Sequence, residues 1–348
     1  MRRVPFYLVL AALVSAAPLA LLAGGAATPP ATATAPEAAL SPAVLPGKGL
    51  AQHPFLYTGE WDTRRKDQMM SIVRDGKVVW SYSIPLNDAD GTLEELGDAT
   101  MLSNGNIAFC RKIGFSVITP DKKILWSIEA PKGTEMHSIQ PLGTDRVMVV
   151  QNGNPAKAMT INILTGKVEK EVVLPTGNPA FPHMQFRRVR LTKAGTYLAG
   201  HLDMNKVSEY DDTGKEIWTV KANQPWSVVR LNNGNTLIGC SAQGVKEVNP
   251  KGETVWDFTQ KDAPDIKLFI IQEVSRLANG NTVLCNWCPN GLKNSKDWAN
   301  SVQVLEVTPD KKVVWALRSW SGDADLGPAS SIQLLDEPGV PEKGEQQR

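Results

Sequence analysis

The sequence is poor in the residues that most often announce a chemistry. Its 348 residues include only four histidines and four cysteines, and no short ligand spacing supports a metal centre, because the candidates come from different blades or loops. Charge of one sign is also missing: 37 basic residues face 36 acidic ones, a formal +1. No global field therefore draws nucleic acid to the chain. There is no GxSxG elbow for a serine nucleophile. No glycine-rich phosphate loop opens a helix, and no oxygen-rich loop has EF-hand spacing, so calcium is conceivable only from scattered Asp and Asn. Helical 3.6-residue periodicity is absent, which excludes an α-solenoid.

What is present is a repeated phrase. It is clearest as GKEIW ending at Trp218, with equivalents GKVVW ending at Trp80, KKILW at Trp126, GKVEK at Lys170, GETVW at Trp256 and KKVVW at Trp315; successive copies lie 46, 44, 48, 38 and 59 residues apart. Each reads as an apolar strand, a tight turn, then a second strand carrying Trp. A second phrase interleaves with it: LSNGNIAFC (102–110), LGTDRVMVV (142–150), LTKAGTYLAG (191–200), LNNGNTLIGC (231–240) and LANGNTVLC (277–285). One period thus holds four short strands. Strand A ends at the Leu, B follows the polar turn, C leads into the Gly-Lys turn and D carries the Trp. Four-stranded sheets repeated at this spacing are the signature of a β-propeller.

The chain ends set the number of blades. SSIQLLDEPG (330–339) has the form of strand A with nothing after it, while residues 55–83 look like B, C and D with no A before them. The expected fold is all-β: a six-bladed propeller of four-stranded antiparallel blades. Its ring is closed by a C-terminal strand A (about 330–336) joining N-terminal strands B–D (about 55–83), leaving no open edge. The repeated Trp is assigned to packing between blades. Lys170 departs from the pattern, and Phe181 or another aromatic is expected to fill that gap.

Residues 1–27 read as an export signal, with two arginines, an apolar stretch and small residues at the end; a single transmembrane helix is the alternative. Residues 28–50, rich in Ala, Pro and Thr, read as a flexible segment, 51–338 as one propeller domain and 339–348 as a disordered tail. The expected protein is a periplasmic or secreted monomer with no membrane span after signal removal and no nucleic-acid partner. Of the cysteines, Cys110, Cys240 and Cys285 end B strands on different blades. Cys285 and Cys288 are close enough in sequence for a local disulfide, with buried thiols as the alternative reading.

Function is sought where the copies disagree. Strand A lines the channel, and the D–A and B–C links emerge on one face. Counting back five residues from each closing Leu gives a ring of Gly97, His137, Phe186, Trp226, Gln272 and Ser330; the next ring is Asp98, Ser138, Arg187, Ser227, Glu273 and Ser331. The channel mouth is therefore expected to hold His137, Arg187, Trp226, Gln272, Glu273 and Asp98. His183, Asp265 and Lys267 on D–A links and His201 on a B–C link add to this face. The loop NWCPNGLKNSKDWAN (286–300) brings Trp287. Aromatics over a polar pocket suit stacking on a sugar or another planar ligand. His137, Glu273 and Arg187 are the candidates for acid–base work.

The phrase DDTGKEIW (211–218), with RDGKVVW (74–80), NPKGETVW (249–256) and TPDKKVVW (309–315), resembles the Trp-docking motif of the quinoprotein-type (PQQ-like) β-propeller superfamily. The NGN turn and the His-bearing strand A are similar to arylsulfotransferase-like propellers. The resemblance spans residues 55–336 and implies the fold. The quinone-binding members it brings in carry vicinal cysteines, absent here, so PQQ binding is not expected and no cofactor is. In the sulfotransferases a His carries the transferred group, a role only His137 or His183 matches. The expected function is binding of a small polar ligand, such as a carbohydrate, or a protein partner at the loop-rich face. Alternatives are a polysaccharide lyase or hydrolase, a sulfotransferase-like enzyme using His137, and a non-catalytic envelope assembly scaffold.

Overall fold

The computed structural model describes residues 41–346. They form six four-stranded sheets, each ordered A-B-C-D outward from the channel. Blade 1 pairs the last strand, Ala329–Leu334, with Phe55–Gly59, Asp67–Arg74 and Lys77–Pro85. The predicted ring closure is therefore present. The other A strands are Leu96–Met101, Glu135–Leu142, Phe186–Leu191, Pro225–Arg230 and Ile270–Arg276. Among the described residues no helix is long and apolar enough to cross a membrane.

Burial explains the sequence pattern. Strands B such as Phe55–Gly59, Tyr197–His201 and Thr236–Cys240 are buried at every position, because blades stack face to face and cover both sides of each sheet. Strands D at the rim alternate with solvent, as in Glu216–Lys221. The Trp of strand D folds over the neighbouring blade. Trp80, Trp218 and Trp256 each donate an indole N–H to the carbonyl of a proline in the next blade's C–D turn (Pro120, Pro250 and Pro309), all at 2.8 Å. In the third blade Lys170 takes this place. Its amine lies 5.9 Å from the Tyr197 ring centroid and 3.5 Å from Asp212. Phe181 does not fill the gap; it is exposed and sits beside His183.

Both ends of the domain are longer than the sequence suggests. Residues 41–50 are packed against blade 6, where Trp315 donates to Gly49 O at 2.9 Å. Gly47 is left-handed there, and a Cβ at that position would meet Trp315 at 2.8 Å. The segment supplies the dock that a following C–D turn gives elsewhere. The expected disordered tail is folded up to residue 346. A short turn at Pro341–Lys343 buries Glu342, which accepts from the Ser103 amide at 3.1 Å, while its carbonyl accepts from Gly143 N at 2.7 Å. Polar bonds hold this tail, so hydrophobicity does not reveal it. Residues 1–40, with the expected signal and most of the flexible segment, lie outside the described residues.

The disulfide is not formed: all four cysteines are buried thiols. Cys285 packs between blades with Val304 and Trp315, whereas Cys288 joins Phe269, Trp298 and Trp320. Strand alternation sends the two side chains into separate clusters.

Candidate functional site

Every A strand is bulged at one shared level. His137, Trp226, Gln272 and Ser330 are each squeezed out of an otherwise continuous ladder. Gly97–Asp98 and Arg187–Arg188 occupy the same level in blades 2 and 4. A bulge re-aims side chains at the cost of a ladder hydrogen bond. Five blades follow the ring predicted from the closing Leu. Blade 4 does not: Thr192, not Leu191, begins its turn, bonding Thr196 O and accepting from Gly195 N. Arg187 therefore belongs to the level of His137 and Trp226, Arg188 to that of Asp98 and Glu273, and Phe186 to the core. Aligning on the turn glycine (Gly105, Gly195, Gly234, Gly280) instead of the Leu gives this register.

Arg187 is the centre of the upper level. Its Nη1 donates to His137 Nδ1 and its Nη2 to His183 Nε2, both at 2.8 Å. A guanidinium has only donors, so these ring nitrogens must present lone pairs. Each histidine then carries its proton on the other nitrogen. Both of those donate to Glu135 Oε2, His137 Nε2 at 3.0 Å and His183 Nδ1 at 2.9 Å. Glu95 accepts from Arg187 Nη1 at 2.5 Å. Burial pushes His137 down to about 4, with the Arg187 charge acting in the same direction against Glu135 and Glu95. Burial would raise Glu95, but Arg187 and the two histidines hold it at about 2. Burial opposes the two histidine hydrogen bonds on Glu135 as well, and its carboxyl still lies below the usual range.

A stack of aromatic rings continues from this cluster. The guanidinium lies 5.0 Å from the Trp226 ring, Trp226 lies 6.5 Å from Trp287, and Trp287 lies 5.5 Å from Trp61, the last two nearly parallel at 15°. Trp226 is fixed by its N–H bond to Ser241 Oγ at 2.6 Å. The loop behind Trp287 is packed, with Trp298 buried and donating to Leu292 O at 2.7 Å. Beside the stack lies a cavity of about 450 Å³, within the range that holds small ligands. Its wall includes the three tryptophans, Arg187, His183, Glu95, Glu60, Gln272 and Lys267. His137 is not on it; it is buried behind Arg187. Three of the wall residues, Trp61, Gln224 and Ala242, have left-handed backbone at φ 60°, 42° and 49°. Strain of about 1–3 kcal/mol per residue persists where the surrounding structure imposes it, often at functional sites.

Glu60 was not foreseen. Burial, then the charge of Glu95, pushes its carboxyl up to about 8, so it is protonated at neutral pH. Gln272 Nε2 donates to it at 3.1 Å. Glu95 and Glu135 were also missed. Both stand two residues before the ring position of their blade, so extending the ring count two residues toward the mouth finds them. Glu95, His137 and His183 bring potential metal-ligating atoms within 4.8 Å of one another. The Arg187 guanidinium already takes the histidine lone pairs that a metal ion would need, so the residues fit a protein ion pair better than a metal site.

The remaining predicted residues separate. Asp98 and Glu273 form a lower layer. There Arg190 grips Asp98 with two bonds, at 2.5 and 3.0 Å, and Glu273 lies 3.9 Å from Arg190. His201 is buried in blade 4 against Phe186 and bonds Tyr210 Oη at 2.8 Å, away from the cavity wall. Burial lowers it to about 3. Asp265 is exposed on its link, off the wall.

No protein-family model matches the chain, and no curated protein gives a significant match. Among solved structures, it is similar to a protein of unknown function from Bacteroides caccae, with 27% identity, a TM-score of 0.68, and 80% of this chain and 97% of that one covered. It is also similar to a catalytically inactive virginiamycin B lyase from Staphylococcus aureus with quinupristin (14% identity, TM-score 0.51, 79% and 88% covered) and to a streptogramin B lyase structure (12%, 0.50, 82% and 88%). At these identities the two lyases share the fold alone. The matches agree with the propeller and add nothing to the quinoprotein-type or sulfotransferase-type resemblance.

Proposed function

We propose that the chain is an exported propeller whose loop-rich channel mouth binds a small, ring-bearing polar ligand. The observation that carries this reading is the stack of Trp61, Trp287 and Trp226 ending on Arg187 beside a cavity of about 450 Å³. The half-buried Trp61 gives a ring apolar area to bury at about 25 cal/mol per Å². Trp287 and Trp226, both buried, hold Trp61 in place, and the polar groups of the wall orient the ligand. A sugar or aromatic ring meets both conditions. A flat assembly surface would not need the enclosure, which places a small ligand ahead of a protein partner. The test is a glycan and aromatic-ligand screen by calorimetry, repeated on Trp226→Ala and Trp287→Ala; hits that bind both variants unchanged would remove this site. Export is checked by finding the mature N-terminus near residue 28 in the periplasm or medium.

A second reading is an enzyme, and one observation favours it. The wall pairs His183, backed by Glu135, with a protonated Glu60. A carboxyl group kept protonated on the same wall as a histidine supplies parts of acid–base catalysis. His183 then takes the role first sought at His137. On an identified substrate, His183→Ala should abolish turnover; full turnover in that variant excludes the reading.

A further inference from the structure

The cavity wall is one-sided in what it leaves unpaired. Among the described residues, three buried nitrogens of wall side chains have no acceptor: Trp61 Nε1, Trp287 Nε1 and Arg187 Nε. No buried side-chain oxygen of a described wall residue lacks a donor. The unmet hydrogen-bond capacity behind the wall is therefore all donor, although these atoms have almost no accessible surface and meet a ligand only if their side chains shift.

Charge points the same way. Glu95 is neutralised by Arg187. Glu60 is kept protonated, by burial and then by Glu95, and offers an O–H instead of a charge. Lys267, on the wall at the exposed end of its link, has no side-chain hydrogen bond or ion pair among the described residues. One cation is left over. A cationic ligand would meet it and Arg187 together. A dianion would exceed it and approach the ionised Glu95.

We propose that the ligand is an organic acid: a compact ring bearing one carboxylate, which Lys267 receives while the ring lies along the half-buried Trp61. This rests on the ligand-binding reading above and adds the chemical class.

Matched pairs test it by calorimetry on the intact protein: methyl glucuronide against methyl glucoside, and phenylacetate against phenylacetamide. The two pairs distinguish a sugar ring from an aromatic one. In at least one pair the acid should bind tenfold or more tighter than its neutral partner. Lys267→Met, an exposed change that leaves the fold alone, should remove most of that gap by weakening the acid far more than the neutral partner. Equal affinities within each pair that binds, or a gap that survives in Lys267→Met, would overturn the organic-acid inference and leave the pocket standing. If no member of either pair binds, the inference falls. If the wider ligand screen is then also silent, the pocket reading falls with it.

Discussion

Two layers of the same channel, built from adjacent positions of the A strands, have opposite characters. In the lower one, Asp98 accepts from Arg190 and from the Ile139 amide, and Arg188 donates to the carbonyls of His137 and Ser330. Acids and bases there largely answer one another across the ring, with Arg188 Nε left unpaired and only a small cavity of about 110 Å³ beside Arg190 and Glu273. In the upper layer Arg187 is likewise paired, but a cavity opens beside it and the indoles keep unpaired donors. Neighbouring residues on one strand thus serve cohesion in one case and line the candidate site in the other. The lesson is that polar residues in a channel are not by themselves evidence of function. A space of ligand size beside them, about 450 Å³ in the upper layer against about 110 Å³ in the lower, is the better guide.

The contrast can be broken most severely in the lower layer. Asp98→Ala leaves Arg188 and Arg190 without their main carboxylate in a buried setting, and should cost about 3–5 kcal/mol of stability in urea unfolding. In the upper layer Trp226→Ala should instead weaken ligand binding tenfold or more, since stacking and the cation–π partner of Arg187 go together. If Asp98→Ala were as stable as wild type, the cohesive role of the lower layer would be wrong.

Titration sharpens the same comparison. Each layer holds one carboxyl raised by burial, Glu60 to about 8 and Glu273 to about 7. The unfolded chain releases these protons near pH 4.5 while the folded chain keeps them. Their stability contribution is therefore full below about pH 4.5 and is lost as pH rises to about 8 for Glu60 and about 7 for Glu273. Glu60→Gln should flatten the loss of stability across the higher window and Glu273→Gln across the lower one, read from unfolding at several pH values. Only Glu60→Gln should also alter the pH dependence of ligand binding. The smallest effect lies at the rim. Trp218→Phe removes one hydrogen bond to Pro250 O and should cost about 1 kcal/mol, whereas Lys170→Met, at a half-exposed contact, should cost less than about 0.5 kcal/mol.

Much of the site was legible residue by residue. His183, Arg187, Trp226, Gln272 and Trp287 do line one cavity: Arg187, Trp226 and Gln272 because one level of successive A strands converges on the axis, His183 and Trp287 because D–A and B–C connections share that face. His201 was not separable from them, since whether a residue at a strand end turns inward or into its own sheet depends on packing against Phe186. Glu60, Glu95 and Glu135 looked like any surface glutamate. Their protonation states come from burial and from one another.

The sequence by itself determined the blade, the number of blades, the closing strand and the tryptophan dock, because each repeats, and repetition is what equivalent packing imposes. Only the tertiary structure decided the place of Arg187 between two histidines and the cavity beside Trp226. Those depend on a one-residue bulge in each strand and on contacts between distant blades. No periodicity in the chain records them.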